Sequence, residues 1–178
     1  IRDSSNTALG YAALSAEDTG TRNVAIGNEA LKVLNYDGAG YNVAVGHRAG
    51  YALTTGTVNT FIGAFAGGAT DDGTRNVVLG YAAMDTGNAG DDNIAIGYQA
   101  ADAITTKSGM IAIGSSALGA VSATGGDYTI AIGHGAMGGA EIGDGNIAIG
   151  YQSMQNANSA GLHRNIAIGY QTMANVGS

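Results

Sequence analysis

Asn93-Ile94-Ala95-Ile96-Gly97-Tyr98-Gln99-Ala100 decides how this chain folds. It returns as Asn146-Ile147-Ala148-Ile149-Gly150-Tyr151-Gln152-Ser153 and as Asn165-Ile166-Ala167-Ile168-Gly169-Tyr170-Gln171-Thr172. Looser copies fill the remaining sequence. The motif glycines are Gly10, Gly27, Gly46, Gly63, Gly80, Gly97, Gly114, Gly133, Gly150 and Gly169, at spacings of 17, 19, 17, 17, 17, 17, 19, 17 and 19. A repeat of this period sets the architecture, because each unit can cover its apolar face only with its neighbours. The two spacings differ by two residues. Side chains on a strand alternate faces with period two, so such an insertion leaves every later side chain on its original face.

The columns around the glycine define the coil. Three before it stand Thr7, Val24, Val43, Thr60, Val77, Ile94, Ile111, Ile130, Ile147 and Ile166. One before it stand Leu9, Ile26, Val45, Ile62, Leu79, Ile96, Ile113, Ile132, Ile149 and Ile168. Both columns are rich in β-branched residues, which suit a pleated surface. Between them lies a column of Ala, broken by Phe61 and Val78. Asn stands four before the glycine except at Met110 and Thr129.

This pattern predicts an all-β, parallel β-solenoid (a β-roll) of about ten coils, with 17 or 19 residues per coil. Each coil is expected to carry a short Asn-Ile-Ala-Ile strand, a tight turn at Gly, a second short strand near Ala-Leu or Ala-Met, and a return loop. Ten stacked rungs would make a rod about 45 Å long. The Ile/Val columns are expected to fill the coil interior, and the Asn side chains to form a register-fixing ladder. The glycine is expected to adopt positive φ or to admit a close neighbour. The Ala column would then face outward. A continuous row of small apolar residues there points to contact with sister chains, and so to a homo-oligomer. Residues 1–178 read as one repeat domain, cut from a longer fibrous protein.

Composition narrows the function. There is no Cys and no Pro, which excludes a disulfide framework and a thiolate metal site. The 31 glycines follow the long period rather than every third position, so the chain is not collagen-like. A net charge of −7 repels nucleic acid. No apolar run reaches membrane-spanning length, so this segment is expected not to insert into a membrane.

Little in the sequence promises catalysis, and no cofactor is implied. His47 and His134 share the variable column after the glycine, and His163 lies in a loop; none has a recognisable catalytic partner. One hexapeptide-like unit per coil, such as Ile26-Gly27-Asn28-Glu29-Ala30-Leu31, gives a remote alternative, a hexapeptide-type acyltransferase. The acidic turns Asp71-Asp72 and Asp91-Asp92 are candidate calcium ligands, although they lack the spacing of known calcium loops. Tyr81, Tyr98, Tyr151 and Tyr170, with Gln99, Gln152 and Gln171 beside them, form a candidate receptor- or sugar-binding row.

The Asn-Ile-Ala-Ile-Gly-x-x-Ala array resembles the head repeats of trimeric autotransporter adhesins. Asn6–Leu14 and Asn76–Met84 look still more like the Asn-Thr-Ala-Leu-Gly-Tyr repeats of phage tail-fibre proteins. The 17/19 spacing is longer than the usual autotransporter repeat and favours the fibre. The resemblance implies a homotrimeric β-roll without enzyme activity, the shaft or receptor-binding region of an extracellular fibre on a virion or a bacterial surface. A host-cell receptor or glycan would be its partner. Neither family transfers a fixed set of binding residues.

Overall fold

The computed structural model describes residues 5–88, 90–119, 126–139, 141–159 and 162–176. The chain is a parallel β-solenoid. Its main sheet contains ten three-residue strands: β1 (Thr7–Leu9), β2 (Val24–Ile26), β3 (Val43–Val45), β4 (Thr60–Ile62), β5 (Val77–Leu79), β6 (Ile94–Ile96), β7 (Ile111–Ile113), β8 (Ile130–Ile132), β10 (Ile147–Ile149) and β12 (Ile166–Ile168). They stack in sequence order. β9 (Glu141–Ile142) and β11 (Asn158–Ser159) pair separately, between the last coils. No helix occurs among the described residues, and none is long and apolar enough to cross a membrane.

Every rung lies in register with the next. Val24, Ala25 and Ile26 face Val43, Ala44 and Val45 across a 19-residue coil, just as Ile94, Ala95 and Ile96 face Ile111, Ala112 and Ile113 across a 17-residue coil. In the first long coil the extra residues lie in the turn around Tyr36 and Gly38, where the Gly38 N–H donates to the Tyr36 carbonyl at 2.8 Å.

The two faces of the sheet are reversed from the sequence expectation. Ala25, Ala44, Phe61, Val78, Ala95, Ala112, Ala131, Ala148 and Ala167 are the buried row. The Ile/Val columns lie on the outside, half-buried on most rungs and exposed at β1, β5, β12 and Ile62. The reason is room. A coil of 17 residues encloses a narrow lumen, already occupied by Ala30, Ala49, Ala66, Ala83, Ala100, Ala117 and Ala136, by Leu31, Met84, Leu118, Met137 and Met154, and by Leu34, Leu53 and Ile104. The side chain opposite them is accordingly Ala at seven of the nine buried positions. The outward Ala row is therefore corrected to an inward one, and it cannot be the contact with sister chains.

The second predicted strand is also absent. The residues after the glycine form consecutive turns, because positions two and four beyond it take positive φ, as in Gln99 (φ 50) and Ala101 (φ 53). Left-handed residues cannot continue an extended run. The turns still stack: the Gln99 N–H donates to the Tyr81 carbonyl at 3.0 Å, and the Ala101 N–H to the Ala117 carbonyl at 2.8 Å.

The motif glycine is required twice over. At Gly97 φ is +135°, and a Cβ there would lie 2.7 Å from the carbonyl carbon and oxygen of Gly114 on the next rung. Gly10, Gly27, Gly46, Gly63, Gly80, Gly114, Gly133 and Gly150 repeat this arrangement, each meeting the glycine of the following rung.

Coil four shows how closely the lumen is filled. Phe61 replaces Ala in the inward row and is fully buried. Two rungs around it carry glycine, Gly50 and Gly67, where the other coils carry Leu or Met and, in coil six, Ala101. A Cβ on Gly50 would lie 2.7 Å from Phe61 Cδ2, and one on Gly67 would meet the ring edge. The ring thus fills the volume those positions release. Replacing Phe61→Ala should cost about 3–5 kcal/mol through the cavity left. Phe61→Ala combined with Gly67→Leu restores the volume pattern of the other coils and should recover part of that loss in urea unfolding. No recovery would contradict the compensation.

Candidate functional site

Three ladders run along the rod. The Asn ladder is internal: Asn23, Asn42, Asn59, Asn76, Asn93 and Asn146 are buried. Each Oδ1 accepts the backbone N–H of the next rung's equivalent residue, as Asn59 does from Asn76 and Asn76 from Asn93, both at 2.9 Å. Each Nδ2 donates to a loop carbonyl; Asn59 reaches Gly73 at 2.8 Å and Asn93 reaches Lys107 at 2.8 Å. Buried amides satisfied in this way fix register. The ladder breaks at coils seven and eight. The Met110 N–H still donates to Asn93, but the methionine passes nothing on, and the buried Thr129 hydroxyl has no partner.

A second ladder runs two residues before the Asn and points the opposite way. The backbone N–H of Thr74 donates to Asp91 Oδ1 at 2.8 Å, that of Asp91 to Ser108 Oγ at 3.0 Å, and that of Ser108 to Asp127 Oδ1 at 2.8 Å. It ends with the Asp144 N–H donating to His163 Nδ1 at 2.9 Å. Sequence reading missed it, although that column is almost all short acceptors: Thr21, Thr57, Thr74, Asp91, Ser108, Asp127, Asp144 and His163.

Three of the four acidic candidates, Asp71, Asp91 and Asp92, belong to these rung-to-rung ties. Asp92 accepts two bonds from Arg75, at 2.6 and 2.8 Å, and Asp91 accepts a third at 3.4 Å. Hydrogen bonding to Arg75 holds the Asp92 carboxyl below the usual carboxylate range. Asp71 accepts the Thr54 hydroxyl at 2.6 Å, and Asp72 is exposed. No group of three or more His, Cys, Asp or Glu suited to a metal ion forms among the described residues.

The third ladder is aromatic and external. Tyr81 stacks on Tyr98, with centroids 5.7 Å apart and planes 8° from parallel. Tyr151 stacks on Tyr170 at 5.2 Å and on His134 at 5.3 Å. His47 meets the edge of Phe65 at 5.0 Å, and Phe65 meets Tyr81 at 5.8 Å. The structure thus brings the four candidate tyrosines into two stacks, Tyr81 with Tyr98 and Tyr151 with Tyr170. Beside the second, Gln171 Nε2 donates to Gln152 Oε1 at 2.8 Å. No enclosed pocket opens among the described residues. The chain matches no family model, no curated protein and no solved structure.

Two aspartates stand apart from the ladders. Asp85 and Asp102 occupy the same column on adjacent rungs. Burial raises the carboxyl pKa of both, and the charge of Asp102 adds to the rise at Asp85. Asp102 Oδ1 is buried without a hydrogen-bond partner. A carboxyl whose folded pKa is raised stabilises the fold at pH below its unfolded value, and that contribution is lost as pH rises through the folded value. Asp102→Asn should therefore raise the Tm at pH 7. The gain should vanish as pH falls below the ordinary Asp range near ~4. A pH-independent difference in thermal melts would show that the charge is not the cause.

Proposed function

We propose that this chain is a non-enzymatic segment of a fibrous attachment protein, assembled as a homotrimer through its Ile/Val face. The observation that carries this reading is the outward aliphatic surface itself. Isoleucine, valine and leucine occupy 18 of the 20 outward positions on ten consecutive rungs. Leu79 is 44% exposed, Ile166 66% and Ile168 64%. The two columns run about 43 Å along the rod, two residues apart on each strand, and make a patch of about 400–500 Å² in projection. Contiguous apolar patches above a few hundred Å² mark interaction surfaces, and parallel sheets are ordinarily covered on both faces.

The occupant that fits is another copy of the chain. The face is periodic, in register and of uniform chemistry, so its natural complement has the same length and rise. Three copies arranged about an axis parallel to the rods would turn every such face inward and close the assembly. The repeats resemble those of phage tail fibres, which favours a virion fibre shaft or receptor-binding region in the extracellular space. The head of a bacterial trimeric autotransporter is the alternative; the same assembly would serve it. In either setting the ladders would make a stiff rod and the exposed aromatic row its contact with a host receptor or glycan.

The test separates the two faces of the sheet. Sedimentation equilibrium of the full chain should give three times the chain mass of 17.6 kDa. Ile113→Lys with Ile149→Lys, on the outer face, should yield monomers that keep their β circular dichroism. Ala112→Asp, on the inner face, should unfold the rod, because an unpaired charge cannot be accommodated there. A monomeric parent at micromolar concentration would overturn the proposal.

A further inference from the structure

The aromatic row is interrupted at three of its ten positions: Asn28, Ala64 and Ser115. The interruption at Ala64 is filled from within. At Ala64 the neighbouring Phe65 places its ring between His47 and Tyr81, 5.0 Å from one and 5.8 Å from the other. A six-membered ring standing edge-on, 90° and 75° from the planes of its neighbours, therefore fits between two rings that are two rungs apart. Asn28 brings its own amide and lies next to Glu29, which pairs with Arg48 at 2.7 Å and Lys32 at 2.6 Å.

Ser115 is different. Coil seven, residues 110–128, carries one aromatic residue, Tyr128, whose ring packs beside Gly109 in the return loop and not in this column. Tyr98 stacks on Tyr81 on one side, and His134 stacks on Tyr151 on the other. The gap between Tyr98 and His134 is two rungs, about 9.6 Å. Its vertical register is pinned: the Ser116 N–H donates to the Tyr98 carbonyl, and the Gly135 N–H to the Ser115 carbonyl, both at 2.9 Å. Tyr98 is 53% exposed and His134 is also exposed, while Ser115 and Ser116 are half-buried.

We infer that the step between Tyr98 and His134 is a binding slot for a neutral pyranose, entered from solvent and floored by Ser115 and Ser116. The aromatic faces carry negative quadrupole charge that complements the C–H face of a sugar ring. The two serine hydroxyls and the Gln99 amide supply donors and acceptors for ring hydroxyls. Ser115, Ser116, Gln99 and Gly135 bring no formal charge, and the net charge of −7 disfavours phosphorylated or acidic ligands. This inference rests on the attachment reading for its biological meaning: it names the chemical class that the surface would hold.

Saturation-transfer NMR on the full chain tests it, with the methyl β-glycosides of glucose, galactose and N-acetylglucosamine as probes and p-cresol as a flat aromatic control. Transfer is expected to the ring C–H groups of at least one glycoside. Tyr98→Ala should reduce it by about fivefold, the loss one stacking contact carries. Ser115→Tyr installs the residue most common in that column, completes the stack and should abolish transfer. Tyr41→Ala, which removes an exposed tyrosine outside the row, should leave it unchanged. Absence of transfer to all three glycosides, transfer that survives Ser115→Tyr, or transfer to p-cresol alone would overturn the slot. The mass of the same sample distinguishes the two failures: a trimer without sugar binding is a spacer, whereas a monomer that binds sugar loses the fibre and keeps the slot.

Discussion

The contact of one motif glycine with the next is the constraint on which the rest depends. The carbonyl of each following rung occupies the place of an absent Cβ, and the glycine's φ near +130° turns the chain out of the strand at the same height in every coil. Rungs that meet this closely have no freedom to slip. Register fixed at that corner lets every other column align with itself, so a single choice of residue is multiplied along the rod. The Asn amides inside and the aromatic rings outside are both products of this alignment.

The two polar ladders reinforce it from opposite directions. Asn side chains accept from the rung that follows, while the Thr/Asp/Ser/His column accepts from the rung before. A backbone N–H in the return loops, where strand pairing gives no partner, is thereby satisfied. Where the inner ladder fails, at Met110 and Thr129, the strands remain in register because the glycine contacts and the sheet persist. Register is thus held by several independent devices, and one of them can lapse at coils seven and eight without a change of fold.

The reversal of the sheet's faces alters where association is sought. With Ala inside, the lumen is small, and the larger aliphatic side chains lie outside without full cover. The rod alone is therefore an incomplete burial of its own apolar surface. The same narrowness explains Phe61, which enters the lumen only because Gly50 and Gly67 leave space beside it.

The sequence by itself determined the repeat, the parallel stacking, the number of rungs, the need for glycine and the Asn ladder, because each is a matter of period and parity. It did not decide which face of the strand is inside, since Ile, Val and Ala are all apolar and alternation is symmetric. One signal was present: Asn and Ala stand two residues apart, so the face that carries a buried amide ladder must also carry the alanines. The second ladder and the division of the tyrosines into two stacks became visible only in the tertiary structure. They join residues 17 to 19 positions apart whose roles depend on turn conformation, above all the left-handed residues after each glycine. Local sequence carries no reliable mark of those turns; the fit of one rung on another selects them.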